Sequence, residues 1–312
     1  MRRALAALAV LLAAALPLAG RAASPASPTG GSGCPTPARA SAPAQPLPPM
    51  DGLRIGLAFG SGSIHGLAHV GIIEALERHG VDVKVVTGTS VGALVGGLWA
   101  SGLSGREIET FAKKTDFEHL GELSASWQGL FTNSDLRDRL EGIFGHRPIE
   151  SWPRRFGAVA TNVQTGGRRL LVSGDGATAI QASTAMPVYF APVDRDGERL
   201  ADGALVEPIP VTAARELGAD YVIAVNVLYR PYDEPASGLF DYGFQAMHIL
   251  VNSLATQDMR GADFAISIDA HRTMTDCGPD ALIADGRDTL ERDWPQLSRS
   301  LIAARERALA KR

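Results

Sequence analysis

Residues 53–100 read LRIGLAFGSGSIHGLAHVGIIEALERHGVDVKVVTGTSVGALVGGLWA, and this stretch decides the fold. The apolar runs at 53–59 and 83–86 predict two buried strands. Between them, apolar residues three apart predict a helix over 67–79, and Gly80 is well placed to end it. This order of strand, helix and strand is typical of an α/β protein.

The rest of the chain continues the same alternation. Residues 91–100 are apolar nearly all round, which is typical of a buried helix. Further strand-like runs lie at 156–160, 169–172, 221–227 and 264–268. We therefore expect a mostly parallel central sheet flanked by helices. In such sheets the chemistry lies at the carboxyl ends of the strands.

The candidate nucleophile is Ser90, in the motif Gly88-Thr89-Ser90-Val91-Gly92. The motif follows a predicted strand and opens a predicted helix. That is the context of a nucleophile elbow, in which the serine lies on a sharp turn and Gly88 and Gly92 let the backbone approach closely. The helix N-terminus would favour developing negative charge. The alternative is a tight turn that happens to contain a serine.

A glycine-rich loop, GSGSIHG at residues 60–66, joins the first strand to its helix and exposes backbone N–H groups to an anion. A dinucleotide site needs glycine at the sixth position, where this loop has His65, and a phosphate loop needs a lysine, which is missing. The remaining anion is the oxyanion of an intermediate formed at Ser90. The candidate oxyanion donors are the backbone N–H groups of Gly60, Ser61, Gly62 and Ser63.

A third motif, Asp202-Gly203-Ala204, follows a short apolar-polar stretch at 199–201. An acidic residue followed by two small residues fits a carboxylate held on a tight turn. Alone, however, Asp-Gly is a common surface turn, so this motif does not by itself mark a site.

Together the three motifs resemble those of the patatin-like phospholipase family. Residues 60–76 resemble its glycine-rich oxyanion block, residues 88–92 its serine block, and residues 202–204 its Asp-Gly-Gly/Ala block. The resemblance runs from about residue 53 to at least residue 227. Segments between the motifs also match, at 129–131 with the helix from Ser134, at 160–167 and at 182–187.

The resemblance implies a three-layer patatin-like fold and a lipid acyl hydrolase of the phospholipase A kind. It implies a dyad without histidine, in which Asp202 accepts the proton of Ser90 and an acyl-enzyme is then hydrolysed. The family usually has arginine or lysine where this chain has His65, and glycine at Ser61 and Ser63. The backbone donors survive these changes, whereas the fixed positive charge is lost unless His65 is protonated.

Two other functions stay open on the sequence. One is a Ser-His-Asp esterase, in which His248 or His271 would follow Ser90 and Asp202 in chain order. The other is a catalytically weak member of the family that binds lipid without turning it over, for which the altered loop at His65 is the only support.

The N-terminal residues predict an exported protein. Residues 1–22 combine two arginines, an apolar run and small residues, as in a signal peptide, which predicts a periplasmic or secreted location. Residues 23–50 are rich in Pro, Ala and Ser and predict a flexible tether before a hydrolase domain at 51–312. Cys34 and Cys277 could pair in an oxidising compartment, or remain two thiols.

The formal net charge of −4 gives no electrostatic argument for nucleic acid or for an anionic membrane. No metal-spaced cluster of His, Cys and Asp is visible, so neither a metal nor another cofactor is expected. The expected partner is a lipid or other acyl ester, with transient contact at a membrane or micelle surface.

Overall fold

The computed structural model describes residues 47–115, 122–123, 129–228, 238–268 and 274–310. The predicted signal peptide, the tether up to residue 46 and the side chains of both cysteines lie outside the described residues. Among the helices that are described, none is both long enough and apolar enough to cross a bilayer.

Within these ranges the chain forms one large sheet and one small one. The strands are β1 (Ile55–Phe59), β2 (Val83–Thr89), β3 (Glu122–Leu123), β4 (Gly129–Thr132), β5 (Arg155–Asn162), β6 (Arg168–Leu171), β7 (Val188–Phe190), β8 (Val193–Arg195), β9 (Glu198–Asp202), β10 (Tyr221–Asn226) and β11 (Phe264–Ser267). The large sheet has the order β11-β10-β1-β2-β5-β9-β8, with β6 also paired to β5, and the small sheet has the order β3-β4-β7.

The large sheet is parallel through its centre and antiparallel at one side. β11, β10, β1, β2 and β5 run parallel to their neighbours, whereas β6 and β9 pair antiparallel with β5, and β8 pairs antiparallel with β9. The predicted, mostly parallel sheet is therefore confirmed. Its antiparallel edge brings the end of β9 beside β5, because Ala160 pairs with Asp202.

Helices cover both faces of this sheet. They are α1 (Ala68–Arg78), α2 (Val91–Ala100), α3 (Gly105–Lys114), α4 (Ser134–Phe144), α5 (Gly176–Ser183), α6 (Val211–Glu216), α7 (Leu239–Met259) and α8 (Met274–Ala310). The run α8 contains a kink at Gly278.

The residues of β1 alternate between two cores, as a strand between two helical layers must. Leu57 and Phe59 face the larger core, which α1, α2 and part of α8 complete. Ala58 faces a smaller core with Val211 of α6 and Ala255 of α7. The expected three-layer α/β fold is therefore confirmed.

Helices α1 and α8 touch at backbone distance. A Cβ atom added at Gly71 would lie 1.9 Å from the backbone oxygen of Ile283, and one added at Gly286 would lie 1.9 Å from the oxygen of Ala68. Because backbone atoms cannot move aside as a flexible side chain can, both positions exclude any larger residue.

We expect Gly71→Ala to lower the free energy of unfolding by about 1–3 kcal/mol, because the methyl group must push α8 away from α1. Gly142→Ala in α4 is the matched control, since an added Cβ there meets nothing within 4 Å. This control should raise stability by about 0.5–1 kcal/mol through helix propensity. Urea unfolding of the two variants measures both changes, and equal stabilisation by both would contradict the close contact.

Candidate active site

Ser90 lies at the carboxyl end of β2 and forms the N-cap of α2. Its φ of 57° and ψ of −126° place a non-glycine residue in the left-handed half of backbone space, a strained conformation. The surrounding hydrogen bonds hold it there. The Ser90 N–H donates to Ser183 Oγ at 3.0 Å, and the Ser90 carbonyl accepts from the N–H of Ala93 at 2.8 Å.

The glycines of the elbow lie where no side chain fits. A Cβ atom on Gly88 would be 2.3 Å from the carbonyl oxygen of Gly92, and one on Gly92 would be 2.2 Å from that of Phe59. The first turn of α2 therefore packs directly on the backbone at the end of β1. The turn at Ser90 is sharp because both of its sides are in backbone contact.

Asp202 ends β9 and is 4% exposed. Its Oδ1 accepts from the Ala204 N–H at 2.8 Å, its own N–H donates to the Ala185 oxygen at 2.9 Å, and its carbonyl accepts from Thr161 Oγ1 at 2.8 Å. Burial raises the pKa of Asp202 to about 6, against the opposing effect of hydrogen bonds from the Ser90 side chain and the Ala204 N–H. The two predicted dyad residues are thus brought together.

The glycine-rich loop has only part of its backbone free. The Gly60 N–H donates to the Val225 oxygen at 3.0 Å, and the Ser61 N–H donates to the Pro208 oxygen at 2.9 Å. Within the described residues, the N–H groups of Gly62 and Ser63 have no acceptor. The prediction of four oxyanion donors is therefore corrected for Gly60 and Ser61, because their N–H groups already bond to other segments. It stays a prediction for Gly62 and Ser63.

Behind this loop lies His69, a residue that the sequence analysis did not single out. It is fully buried in α1, its ring packs 4.7 Å from that of Phe59, and its Nε2 lies 2.8 Å from the Gly60 oxygen. Burial lowers the pKa of His69 to about 4, so the ring is neutral and Nε2–H donates to Gly60. A polar residue on the buried stripe of α1 was the signal that could have revealed it.

Ser90 and Asp202 open into a cavity of about 640 Å³, which Gly62 and Ser63 also line. Its walls are largely apolar and come from several parts of the fold. They include Leu94, Leu136, Met186, Phe190, Met247 and Val251. Within the ranges described above, no group of three or more His, Cys, Asp and Glu residues could hold a metal.

Two histidines from the sequence analysis also line the cavity. His65 lies on the loop, half-buried, and His248 projects from α7 with its pKa lowered by burial. His271 lies outside the described residues. The Ser90 side chain lowers the pKa of Asp202 as a hydrogen-bond donor, which is the contact that the predicted dyad without histidine requires.

A second, larger cavity of about 990 Å³ lies at the amino ends of the parallel strands. The charged residues that line it include pairs, such as Arg54 with Asp220 at 3.0 Å and Lys84 with Asp82 at 2.6 Å. Neither residue of the predicted dyad lines this cavity. The candidate active site is therefore the smaller cavity, at the carboxyl ends of the strands.

Solved structures and curated relatives resemble this chain. VipD from Legionella pneumophila superposes with a TM-score of 0.56 at 15% identity, over 77% of this chain and 66% of its own, which shows a shared fold. An uncharacterized NTE family protein of Mycobacterium tuberculosis is 36% identical over 177 residues, or 56% of this chain and 49% of its own. The match thus covers about half the length of this mycobacterial relative.

Longer relatives match over the same region. A patatin-like phospholipase domain-containing protein of Caenorhabditis elegans is 32% identical over 66% of this chain and 16% of its own length. The lysophospholipase NTE1 of Scheffersomyces stipitis is 33% identical over 55% of this chain and 12% of its own. The family model described as patatin-like phospholipase matches residues 57–215, just over half of the chain, including both Ser90 and Asp202. The chain belongs to the patatin-like phospholipase family.

Proposed function

We propose that the protein is a serine hydrolase of lipid acyl esters, similar to a phospholipase A or a lysophospholipase. The observation that supports this most directly is the pairing of Ser90 with the buried Asp202 at the end of an apolar cavity. The two residues come from different strands, β2 and β9, so their meeting is a property of the fold. A lysophospholipase among the relatives points to the same substrate class.

The reaction needs one proton acceptor and one nucleophile. Asp202 accepts the hydroxyl proton of Ser90 while Ser90 Oγ attacks the ester carbonyl carbon. The intermediate collapses, and the leaving alcohol takes the proton from Asp202, which leaves the acyl group on Ser90. Water then attacks this acyl-enzyme and gives its proton to Asp202. Collapse returns the proton to Ser90 and releases the fatty acid.

The environment of Asp202 suits this role. A carboxylate with a pKa of about 6 is a stronger base than an ordinary aspartate, and it is still ionised at neutral pH. Ionisation has a cost in stability. The folded state holds the proton more tightly than the unfolded chain, so the free energy of unfolding falls as the pH rises through about 6.

The oxyanion would lie at the N–H groups of Gly62 and Ser63, beside the N-terminus of α2. The peptide unit between Gly60 and Ser61 fixes their position. His69 Nε2–H donates to the Gly60 carbonyl oxygen, and the Ser61 N–H donates to the Pro208 carbonyl oxygen. We therefore assign His69 as a positioning residue that acts through the loop and does not touch substrate.

The cavity walls suit an acyl chain. A volume of about 640 Å³ is in the range of small-molecule sites, and side chains such as Leu94, Leu136 and Phe190 offer hydrocarbon contacts.

We further propose that the protein is exported, which the signal-peptide-like composition of residues 1–22 supports.

Ser90→Ala should abolish hydrolysis of p-nitrophenyl esters and of lysophosphatidylcholine, because the nucleophile is gone. A fluorophosphonate probe should label the native protein at Ser90 and fail to label the variant, as read by peptide mass spectrometry. Native protein that binds lipid but neither labels nor turns over any ester would favour the catalytically weak, lipid-binding alternative.

Asp202→Asn should lower kcat/KM about 10³-fold or more, since the base is lost. In the native protein, kcat/KM for an uncharged ester should fall tenfold for each pH unit below about 6, as Asp202 takes up its proton. The matched control is Asp258→Asn, because burial also raises the pKa of Asp258 to about 6 and this residue does not line the cavity.

The Asp258→Asn control should keep the native pH profile of kcat/KM. Asp202→Asn should have a free energy of unfolding at pH 8 no lower than that of the native protein. His248→Ala should retain most of the activity. A folded His248→Ala variant without activity, beside an active Asp202→Asn variant, would instead establish the triad.

His69→Phe should lower kcat about 10- to 100-fold with little change in KM, because the Gly60 carbonyl loses its buried donor and the loop loses its fixed position. His69→Gln, which places an N–H near the same point, should recover part of kcat. Steady-state kinetics of both variants, with their melting temperatures, test this. A folded His69→Phe variant with native kcat would remove the positioning role.

A further inference from the structure

The outer side of α7 changes character along its length. Residues 239–250 of this helix expose large apolar side chains, with Leu239 84%, Tyr242 67%, Ile249 51% and Leu250 66% exposed. The exposed residues after this part include Ser253, Thr256 and Gln257. An apolar helix is normally buried all round, so residues 239–250 have a hydrophobic side that the described fold does not cover.

The opposite side of α7 lines the cavity that contains Ser90. Met247 and Val251 contribute to the cavity wall, and Ile249 and Leu250 lie between them in sequence but face outward. The exposed apolar side is therefore next to the cavity and not at a distant part of the protein. A contact made there would lie beside the cavity that contains Ser90.

A second exposed apolar group lies on β7. Val188 and Tyr189 are 46% and 44% exposed, and Pro187 and Phe190 on either side of them line the cavity. The Tyr189 ring lies 5.4 Å from that of Phe244 on α7, which joins the two groups. We call Val188, Tyr189, Tyr242, Ile249 and Leu250 the mouth surface.

The charge of the mouth surface favours one kind of partner. From residue 239 to residue 257, Asp241 is the only Asp, Glu, Lys or Arg, and residues 187–190 contain no charged residue. A surface without lysine or arginine gains nothing from anionic lipid or nucleic acid, because both are bound through basic side chains. An uncharged or zwitterionic surface fits this composition.

We propose that the mouth surface docks the protein on a zwitterionic or neutral lipid surface, with the cavity facing the lipid. The side chains would enter the interface as those of an amphipathic interfacial helix do. An acyl ester would then pass from the lipid to Ser90 without crossing bulk water. The proposal rests on the proposed function for its substrate, but docking itself needs no turnover.

Docking can be measured on the full-length Ser90→Ala protein, so that hydrolysis does not alter the vesicles. Phosphatidylcholine vesicles should bind this protein in a flotation assay. Adding Ile249→Ser and Leu250→Ser should weaken partitioning about tenfold or more, because two large apolar side chains no longer enter the lipid. Adding Leu309→Ser instead is the matched control. Leu309 is 43% exposed, next to residues that line the cavity at the amino ends of the strands, and its loss should leave partitioning unchanged.

Salt and lipid charge test the kind of partner. Raising the salt from about 0.1 M to about 0.5 M should leave partitioning unchanged, since screening weakens only charge-based contacts. Phosphatidylglycerol vesicles should bind no better than phosphatidylcholine vesicles. Binding that requires the anionic lipid and is lost in salt would overturn the proposal.

Kinetics separate failure of docking from failure of the proposed function. With Ser90 intact, the Ile249→Ser, Leu250→Ser variant should hydrolyse a short soluble ester within about twofold of the native rate, but vesicle phospholipid about tenfold more slowly. A protein that binds vesicles but hydrolyses neither substrate would contradict the proposed function alone. Native partitioning by the double variant would overturn docking. So would a native dimer that this variant converts to a monomer, because the surface would then join two copies of the chain.

Discussion

The carbonyl groups of Phe59 and Gly60 lie so close to the first turn of α2 that only glycine fits at position 92. This contact fixes the elbow against the end of β1, and Ser90 lies in that elbow with its strained backbone. The same Gly60 carbonyl accepts the hydrogen bond of His69. Ser90, the loop proposed to hold the oxyanion and the core beneath them are therefore in contact through the backbone at Phe59 and Gly60. A displacement of one is transmitted to the others, since none has a flexible side chain at the point of contact.

Electrostatics at this point is arranged by burial. Asp202 is deprived of water on nearly every side and receives hydrogen bonds from Ser90 and Ala204, which leaves it moderately basic and still ionisable. His69 is deprived of water too, but because its charged form is the protonated one, burial keeps it neutral. Burial therefore raises the pKa of Asp202, the proposed base, and lowers the pKa of His69, which stays neutral and donates to Gly60.

The parts of the fold that follow local rules could be predicted from the sequence. The buried strands and helices between residues 53 and 100 have clear hydrophobic periodicity, and glycines flank Ser90 where the backbone has no room. Asp202 was identified by family resemblance, because Asp-Gly alone is an ordinary turn. The strand β8 is three residues long, too short to give a periodic pattern.

The glycine-rich loop at residues 60–66 shows which part of the candidate site could not be predicted from the sequence. From the sequence alone, the N–H groups of Gly60 and Ser61 look as available as those of Gly62 and Ser63. An N–H group is free to bind an oxyanion only if no acceptor from another segment takes it, as the carbonyl oxygens of Val225 and Pro208 do here. A pattern over a few residues cannot predict such a distant acceptor. His69 was missed for a related reason. Its role depends on the Gly60 carbonyl oxygen packed against it, and the sequence does not show that contact.

The contact between α1 and α8 limits where this domain can be divided in a gene fusion. The region that matches the family ends at residue 215. The helix α1, which contains His69, nevertheless packs at backbone distance against α8 at Ile283 and Gly286. Strand β10 also lies beyond the matched region, and its Val225 accepts the hydrogen bond of Gly60. A gene fusion or a domain boundary drawn at residue 215 would cut through the support of the active site. The smallest transferable unit must extend into α8, so this part of the chain can be exchanged between proteins only as a whole.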